Sequence, residues 1–585
     1  MIDPVRYPYE DAGLSTDQRV EDLMARLTLE DRVSLIFHSY AGLSDPERSD
    51  QYGRPGAAML VRQRGITHFT VQGQAPNGRG FAEWHNAVQR AALEHPLRIP
   101  VTIASDPRHS VSDNPLSSNA AGGFSRWPEP IGLAAIGSDE RMREFGDITR
   151  REYLAGGIRV ALHPQIDLTT EYRWARIVQT LGEDAELTSR LVRAYLEGLQ
   201  GIRLGPDSVA GVAKHFPGGG PQKDGLDPHF KDGREQIYPG QQFEYHLRPF
   251  IAAIDAGVAQ IMPYYGMPVG TEWEEVGFAF NKGIVTDLLR KRLGFDGVVV
   301  TDFGVVSGYG DYFPAKAWGV EHLSREERVL KLLDAGVDQL GGENDVGLVS
   351  GMIHNKTLDP MLLDGPVRRL LREKFRLGLF DERRFVDPDE ADGIIGAAEH
   401  AAAGRRAQQE SMVLLRNDLD GAPLLPLPRG VSLYVEGVEP AAFANWATIV
   451  DDPSEAQFAV IRVKSPNYAD PAKSFLGSMH KGSLEFRAAD AEHINEIARQ
   501  LPTILDVFMD RPAVLTPFGQ VVALLCSFGT DDQPFAELLF GAAQPLGRLP
   551  YDLPRSDATV AASRTDVPFD TEAPLFRFGH SLRYK

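Results

Sequence analysis

A single cysteine among 585 residues excludes a disulfide framework. That residue, Cys526, ends the apolar run Val521-Val-Ala-Leu-Leu-Cys526 and is expected to be a buried core thiol. No apolar run approaches the ~18 residues that a membrane helix needs. The first ten residues, Met1-Ile-Asp-Pro-Val-Arg-Tyr-Pro-Tyr-Glu, hold no apolar signal core, so the chain is expected to be cytoplasmic. Positive charge is in deficit, with 61 Lys and Arg against 81 Asp and Glu and a net charge of −20. Nucleic acid or an anionic membrane would want a basic face, so neither is expected as a partner. Internal repeats and low-complexity tracts are absent. Gly218-Gly-Gly220 lacks the Lys-Ser/Thr of a phosphate loop, and no ligand cluster for a metal stands out, so neither cofactor nor metal is expected.

What is present is an ordinary globular composition, 43% hydrophobic and 24% charged. The length exceeds one core and predicts two or three domains. Arg19-Val20-Glu-Asp-Leu23-Met24-Ala-Arg-Leu27 carries apolar residues at helical spacing, and Thr28-Leu-Glu-Asp31 has the hydroxyl and acid of a helix start. From residue 99 a βα rhythm sets in. Its strand candidates are 99–103, 158–162, 209–213, 259–262, 298–300 and 337–340, with helices such as 186–200 between them. This alternation predicts a parallel sheet with helices outside, and the number of units favours a (β/α)8-like barrel. After the helix 366–375 comes a connector rich in Arg, Asp and Pro, then an Ala-rich helix over 395–410. Strand candidates 412–415, 431–435, 458–463, 503–508 and 521–527 follow, with helices 491–501 and 533–540, as in an α/β sandwich. The expected division is a barrel with a helical lead over 1–380, a linker and helix over 381–410, and a sandwich over 411–585.

Reactive side chains recur where the barrel strands end. Val298-Val-Val300-Thr301 leads to Asp302 and Phe303, and barrel enzymes keep catalytic groups at that end of a strand. Other ends give Asp106 with Arg108, then Asp167 followed by Tyr172-Arg173-Trp174-Ala-Arg176, then Lys214-His215, then Tyr264. Taken singly, Lys214-His215 could be a solvated end, Tyr264 a packed ring, and Arg173 and Arg176 partners of Glu183 and Asp184. Together they put acids, cations, an imidazole and a phenol on one rim. Such a rim suits a polyhydroxylated ligand, because charged groups grip vicinal hydroxyls and aromatic faces meet C–H bonds.

These residues carry a resemblance to glycoside hydrolase family 3. It runs through residues 19–33, Lys214-His215-Phe216, Gly297-Val-Val-Val-Thr-Asp302, Arg173-Trp-Ala-Arg176 with Gly182-Glu-Asp184, Pro545-Leu-Gly-Arg-Leu-Pro550 and Pro574-Leu-Phe-Arg-Phe-Gly579-His580. The family's fold is a (β/α)8-like barrel followed by an α/β sandwich. The resemblance implies a carbohydrate substrate, with Asp302 as the nucleophile of a retaining mechanism. It places Asp106, Arg108, Asp167, Arg173, Arg176, Lys214, His215 and Tyr264 around the sugar, with Phe303 as an aromatic wall where many members have Trp. The acid/base usually comes from a Glu after a second-domain strand such as 458–463. Here that stretch reads Val463-Lys-Ser-Pro-Asn-Tyr-Ala-Asp470, so Asp470 and then Glu485 are the candidates. Asp227-Pro-His229 is a third option, similar to the pair used by N-acetylglucosaminidases of the family.

Three functions are compatible with these residues. The first is an exo-acting β-glycosidase of β-glucosidase or β-xylosidase type. The second is a sugar-binding relative without turnover, and the third an N-acetylglucosaminidase or phosphorylase. A homo-oligomer is left open.

Overall fold

The computed structural model describes residues 7–49, 53, 55–112, 119, 121–308, 314–469, 479 and 481–584. Eight strands form one parallel sheet: β1 Phe37–Gly42, β2 His68–Gln72, β3 Thr102–Ser105, β4 Ile158–Ala161, β5 Ala210–Phe216, β6 Gln260–Pro263, β7 Val298–Val299 and β8 Leu340–Gly341. Their order is β8-β1-β2-β3-β4-β5-β6-β7. Parallel pairing of Val300 with Gln339 joins β7 back to β8 and closes the sheet into a barrel.

The barrel thus begins two strands earlier than the sequence predicts, since 99–103 belongs to the third strand. Alternation explains why β1 and β2 were illegible. Phe37, Phe69 and Val71 join the apolar shell under the helices, as a strand's outward residues should. The alternate positions carry His38, His68 and Thr70 instead of aliphatics. His38 Nδ1 lies 3.2 Å from Gln339 Oε1, and its Nε2 lies 2.8 Å from Thr70 Oγ1. Across the interior, Ala104, Val160, Leu162, Ala210, Val212, Met262 and Val300 make a small apolar plug. The barrel is filled partly by aliphatics and partly by a polar set in which His38 is hydrogen-bonded to Thr70 and Gln339.

Local signals set the boundaries. Thr28 and Asp31 form the expected reciprocal cap on helix Leu29–Leu35. Helix Asp139–Gly156 stops at Gly157, whose φ is +83° and whose position would press any Cβ to 2.4 Å from the His85 ring. That stop delivers the chain directly into β4. Among the described residues no helix is long and apolar enough to cross a membrane.

Helices Pro388–Ile394 and Ala398–Ser411 lead to a second, six-stranded sheet. Its strands are β9 Val413–Asn417, β10 Ser432–Glu436, β11 Thr448–Val450, β12 Phe458–Lys464, β13 Thr503–Phe508 and β14 Ala523–Ser527, in the order β9-β14-β13-β12-β10-β11. Only β9 runs antiparallel to its neighbour. One face of this sheet, with Leu414, Leu433, Val460, Ile504 and Leu525, has its own apolar cluster. The other face, with Leu415, Ala459, Ile461, Val507 and the fully buried Cys526, belongs to the cluster that wraps the barrel strands.

Glu152 fastens the linker to the barrel. This buried carboxylate accepts from Ser125 N at 3.1 Å and Gly396 N at 3.2 Å, and lies 2.9 Å from both His109 Nε2 and His400 Nδ1. Burial pushes its pKa up, but the two imidazoles and the amide outweigh it and bring the group down to about 2. A depressed acid stabilises the fold above its unfolded pKa and loses that contribution as pH falls through the folded value. Glu152→Gln should therefore cost on the order of 3 kcal/mol at pH 7. In urea titrations the gap from the parent protein should narrow as pH falls below 4.5; an equal gap at all pH would contradict this role.

Candidate active site

The loops after β3, β4, β5, β6 and β7 meet at one end of the barrel. Asp302 follows the valine run that forms β7 and is 8% exposed. Its Oδ1 accepts from Phe303 N at 2.8 Å, while Oδ2 has no hydrogen-bond partner among the described residues. His215 Nε2 stands 3.8 Å from that free oxygen. One oxygen is anchored and the other is presented to the rim.

Two further carboxylates, both fully buried, arrange the groups around it. Asp167, from the loop after β4, accepts from His215 N at 3.1 Å and Gly219 N at 2.5 Å, and lies 2.8 Å from His215 Nδ1. Burial raises its pKa to about 6 against those donors. His215 is held neutral, by burial first and then by Arg176 and Lys214. Its Nδ1–H therefore faces Asp167, and Nε2 is left to accept from a ligand hydroxyl. The His215 ring lies against Tyr264 with centroids 4.3 Å apart.

The second carboxylate, Asp227, accepts from Trp174 Nε1 at 2.8 Å and Tyr264 Oη at 3.2 Å. Its other oxygen accepts from His229 N at 2.9 Å and lies 2.6 Å from His229 Nδ1. Burial would raise Asp227, but His229 and Arg176 outweigh it and hold the group well below the usual carboxylate range. Burial would lower Arg176, yet Tyr264, Asp227 and Asp302 hold its guanidinium charged. Lys214 completes the rim by donating to Asp106 Oδ1 at 3.0 Å.

Tyr265 and Lys316 are members of this set that are not among the sequence candidates. Tyr265 donates to Phe303 O at 2.7 Å, and burial and Asp302 keep its phenol protonated. His229 packs edge-on against Tyr265 at 4.8 Å. Lys316 sits over the Tyr265 ring at 5.6 Å, its ammonium lowered by burial and held up by Asp302 and Glu343. The doubled tyrosine and the Trp inside Arg-Trp-Ala-Arg were available signals; nothing local marks Lys316. Among the described residues no group of three His, Cys, Asp or Glu is placed to hold a metal.

Several expectations need correction or fall outside the described chain. Arg108 does not face a ligand, because its guanidinium donates to Val71 O, Gly73 O and Ser105 Oγ inside the protein. Phe303 is no wall of the rim; it points into the barrel against Tyr40 and His38, with centroids 4.9 and 5.4 Å away. Glu485 is an exposed loop acid that accepts from Asp557 N at 3.0 Å, where helix Asp557–Ala562 begins. Asp470 lies outside the described residues. Arg173 pairs with Glu171 at 2.8 and 2.7 Å rather than with Glu183 or Asp184. Glu183 instead accepts from Tyr172 Oη, Asp552 N and Phe569 N, and Asp184 caps its helix through Leu187 N.

Residues 59–372 match the model of the glycosyl hydrolase family 3 N terminal domain, and residues 444–584 match its C-terminal domain. The chain belongs to glycosyl hydrolase family 3. A probable β-glucosidase C of Aspergillus flavus is 46% identical over 98% of this chain and 92% of its own length. A periplasmic β-glucosidase/β-xylosidase of Dickeya chrysanthemi is 37% identical, covering 98% of this chain and 91% of its own. In fold, the chain is similar to an exo-1,3/1,4-β-glucanase of a Pseudoalteromonas species, with a TM-score of 0.79 at 20% identity over 99% of this chain and 98% of that one. A β-glucosidase of Listeria innocua gives a TM-score of 0.75 at 21% identity, over 97% and 83% of the two chains. A barrel followed by an α/β sandwich is therefore the architecture of this family 3 member.

Second-domain groups reach this end of the barrel. Arg511, fully buried, donates to Pro466 O at 2.6 Å, Gly482 O at 2.8 Å and, across to the barrel, Arg173 O at 3.2 Å. It ties both sides of the loop after β12 to the segment that carries Trp174 and Arg176. If Arg108 is structural, Arg108→Met should lower stability by about 2 kcal/mol through the carbonyls it strands. KM for an aryl glucoside should stay within about twofold of the parent value, the scatter expected for a change that touches no ligand. A large rise in KM with unchanged stability would restore Arg108 to the binding set.

Proposed function

We propose that this protein is an exo-acting, retaining β-glycosidase that removes a terminal glucose or xylose from small glycosides. The observation that carries this reading is the anchored Asp302 with its unpartnered Oδ2, set beside His215 and Arg176. The names of the Aspergillus and Dickeya relatives support the choice of sugar. Exo action is supported by depth, since Asp167, Arg176, His215, Asp227 and Tyr264 are all almost fully buried. A site lined in this way takes one terminal ring more readily than the middle of a polymer.

In the first step Asp302 Oδ2 attacks the anomeric carbon as its bond to the aglycone oxygen breaks, giving a glycosyl ester. The departing oxygen needs a proton. Of the described residues, His229 is best arranged to supply it: Asp227 holds Nδ1–H on its own side, so the ring enters this step as an imidazolium and gives up its Nε2 proton. In the second step the same imidazole takes a proton from water as its oxygen attacks the anomeric carbon and Asp302 departs.

Asp302→Asn should fold normally and lose several orders of magnitude in kcat, as expected when a nucleophile is removed. The first sugar released by the parent enzyme, followed by NMR before mutarotation, should carry the β configuration. An α product or an active Asp302→Asn enzyme would end this reading.

His229→Ala should lose ~10²–10⁴-fold on glycosides with poor leaving groups and far less on activated aryl glycosides, with azide restoring turnover of the latter. If that signature appears in Asp470→Ala and not in His229→Ala, the proton donor is Asp470.

A further inference from the structure

Beside Lys214 lies a cavity of about 50 Å³, whose wall includes Pro107, Leu133, Phe145, Gln165, Leu181 and Lys214. Its wall is predominantly apolar, and two of its polar residues have side-chain atoms with no use in the fold. Among the described residues, both amide atoms of Gln165 lack a hydrogen-bond partner, and so does Oε1 of Gln179. Each side chain is 5% exposed. Buried polar groups are almost always paired, so a whole amide left open in a cavity wall points to a missing ligand group.

The cavity's place relative to the sugar follows from barrel geometry, and rests on the reading of Asp302 as nucleophile. In the closed order of eight strands, β3 stands opposite β7. The diameter from Asp302 therefore runs to Asp106, at the end of β3, and to the Lys214 paired with it; a pyranose lying along that diameter with its anomeric carbon at Asp302 turns C4 to that pair. C6 branches from the carbon next to C4. Lys214 belongs both to that pair and to the cavity wall, so a substituent on that edge meets the cavity there.

Size and polarity then select the substituent. A water-sized atom needs ~10–15 Å³ of such space, so the cavity holds roughly three or four heavy atoms. An anionic group fits poorly, because Lys214 is already paired with Asp106 and the two histidines in the wall face Glu152 and two tyrosines. We propose that the cavity is a subsite for a small acyl ester on the C4–C6 edge of the sugar, an O-acetyl group above all. Gln165 Nε2 donates to the acyl carbonyl, and the methyl group packs against Leu133, Phe145 and Leu181. The enzyme then accepts acetylated glycosides without prior removal of the ester.

The test compares kcat/KM for 4-nitrophenyl β-glucoside with its 6-O-acetyl and 4-O-acetyl esters. At least one ester should be turned over within tenfold of the parent glucoside, and which one identifies the position served. Leu133→Phe, which fills the cavity without touching the rim, should lower that ester's kcat/KM tenfold or more while the parent glucoside stays within twofold. Parent activity reports that the variant is folded, and Met142→Phe replaces it if it is not. The proposal is overturned if both esters are more than tenfold worse than the parent, or if filling the cavity leaves the ratio of ester to parent unchanged. Failure to hydrolyse the parent glucoside itself would instead remove the catalytic reading on which the subsite depends.

Discussion

The catalytic end of this barrel depends on Asp167 being held dry. A carboxylate taken out of water is costly to the fold unless donors surround it, and three N–H groups from the His215–Gly219 segment do so. Those bonds fix the turn after β5 and the rotation of the His215 ring. The ring in turn sets Tyr264, whose hydroxyl reaches Asp227 and receives Arg176 at 3.4 Å. Asp227 then orients Trp174 and His229. The rim is thus a chain of dependent placements that starts at one buried acid, and every link but the His215–Tyr264 ring contact is a hydrogen bond between buried groups.

A second set of buried carboxyl groups binds the two sheets to each other. Glu183, raised to about 8 by burial, accepts from Asp552 N and Phe569 N. Asp566 accepts from Gly240 N and Gln242 N at 2.7 and 2.8 Å. These contacts fall on the loops after β4 and β5, the same loops that carry the rim. Inter-domain hydrogen bonding and rim geometry are therefore set by the same backbone.

Elements whose burial is aliphatic were legible in the sequence. The valine run of β7, the Ile- and Leu-rich strands of the second sheet and the amphipathic helix Asp364–Arg376 all announce themselves by period. β1 and β2 do not, because His38, His68 and Thr70 face a polar part of the barrel interior that no local pattern signals. β11 is a short, partly exposed edge strand and escaped for the opposite reason. In the site, residue type at strand ends found Asp302, Lys214, His215, Asp167, Asp106, Arg176 and Tyr264. What it could not supply was direction. Arg108 and Phe303 sit beside Asp106 and Asp302 in sequence, yet the turn after each strand points one guanidinium and one ring into the protein. Asp227 and His229 carried the opposite lesson, since only folding brings their loop against Tyr264 and Trp174.

The face of the second sheet that carries Leu415, Ala459, Ile461 and Val507 has a consequence of its own. Because it shares one apolar cluster with the barrel shell, the two sheets are separate in topology but not in solvent. Swinging one from the other would wet that whole surface, at a free energy far above thermal motion. The rim is accordingly a fixed template, present before any sugar arrives. Its geometry does not have to be assembled by closure, and binding energy is free to act on the ring it holds.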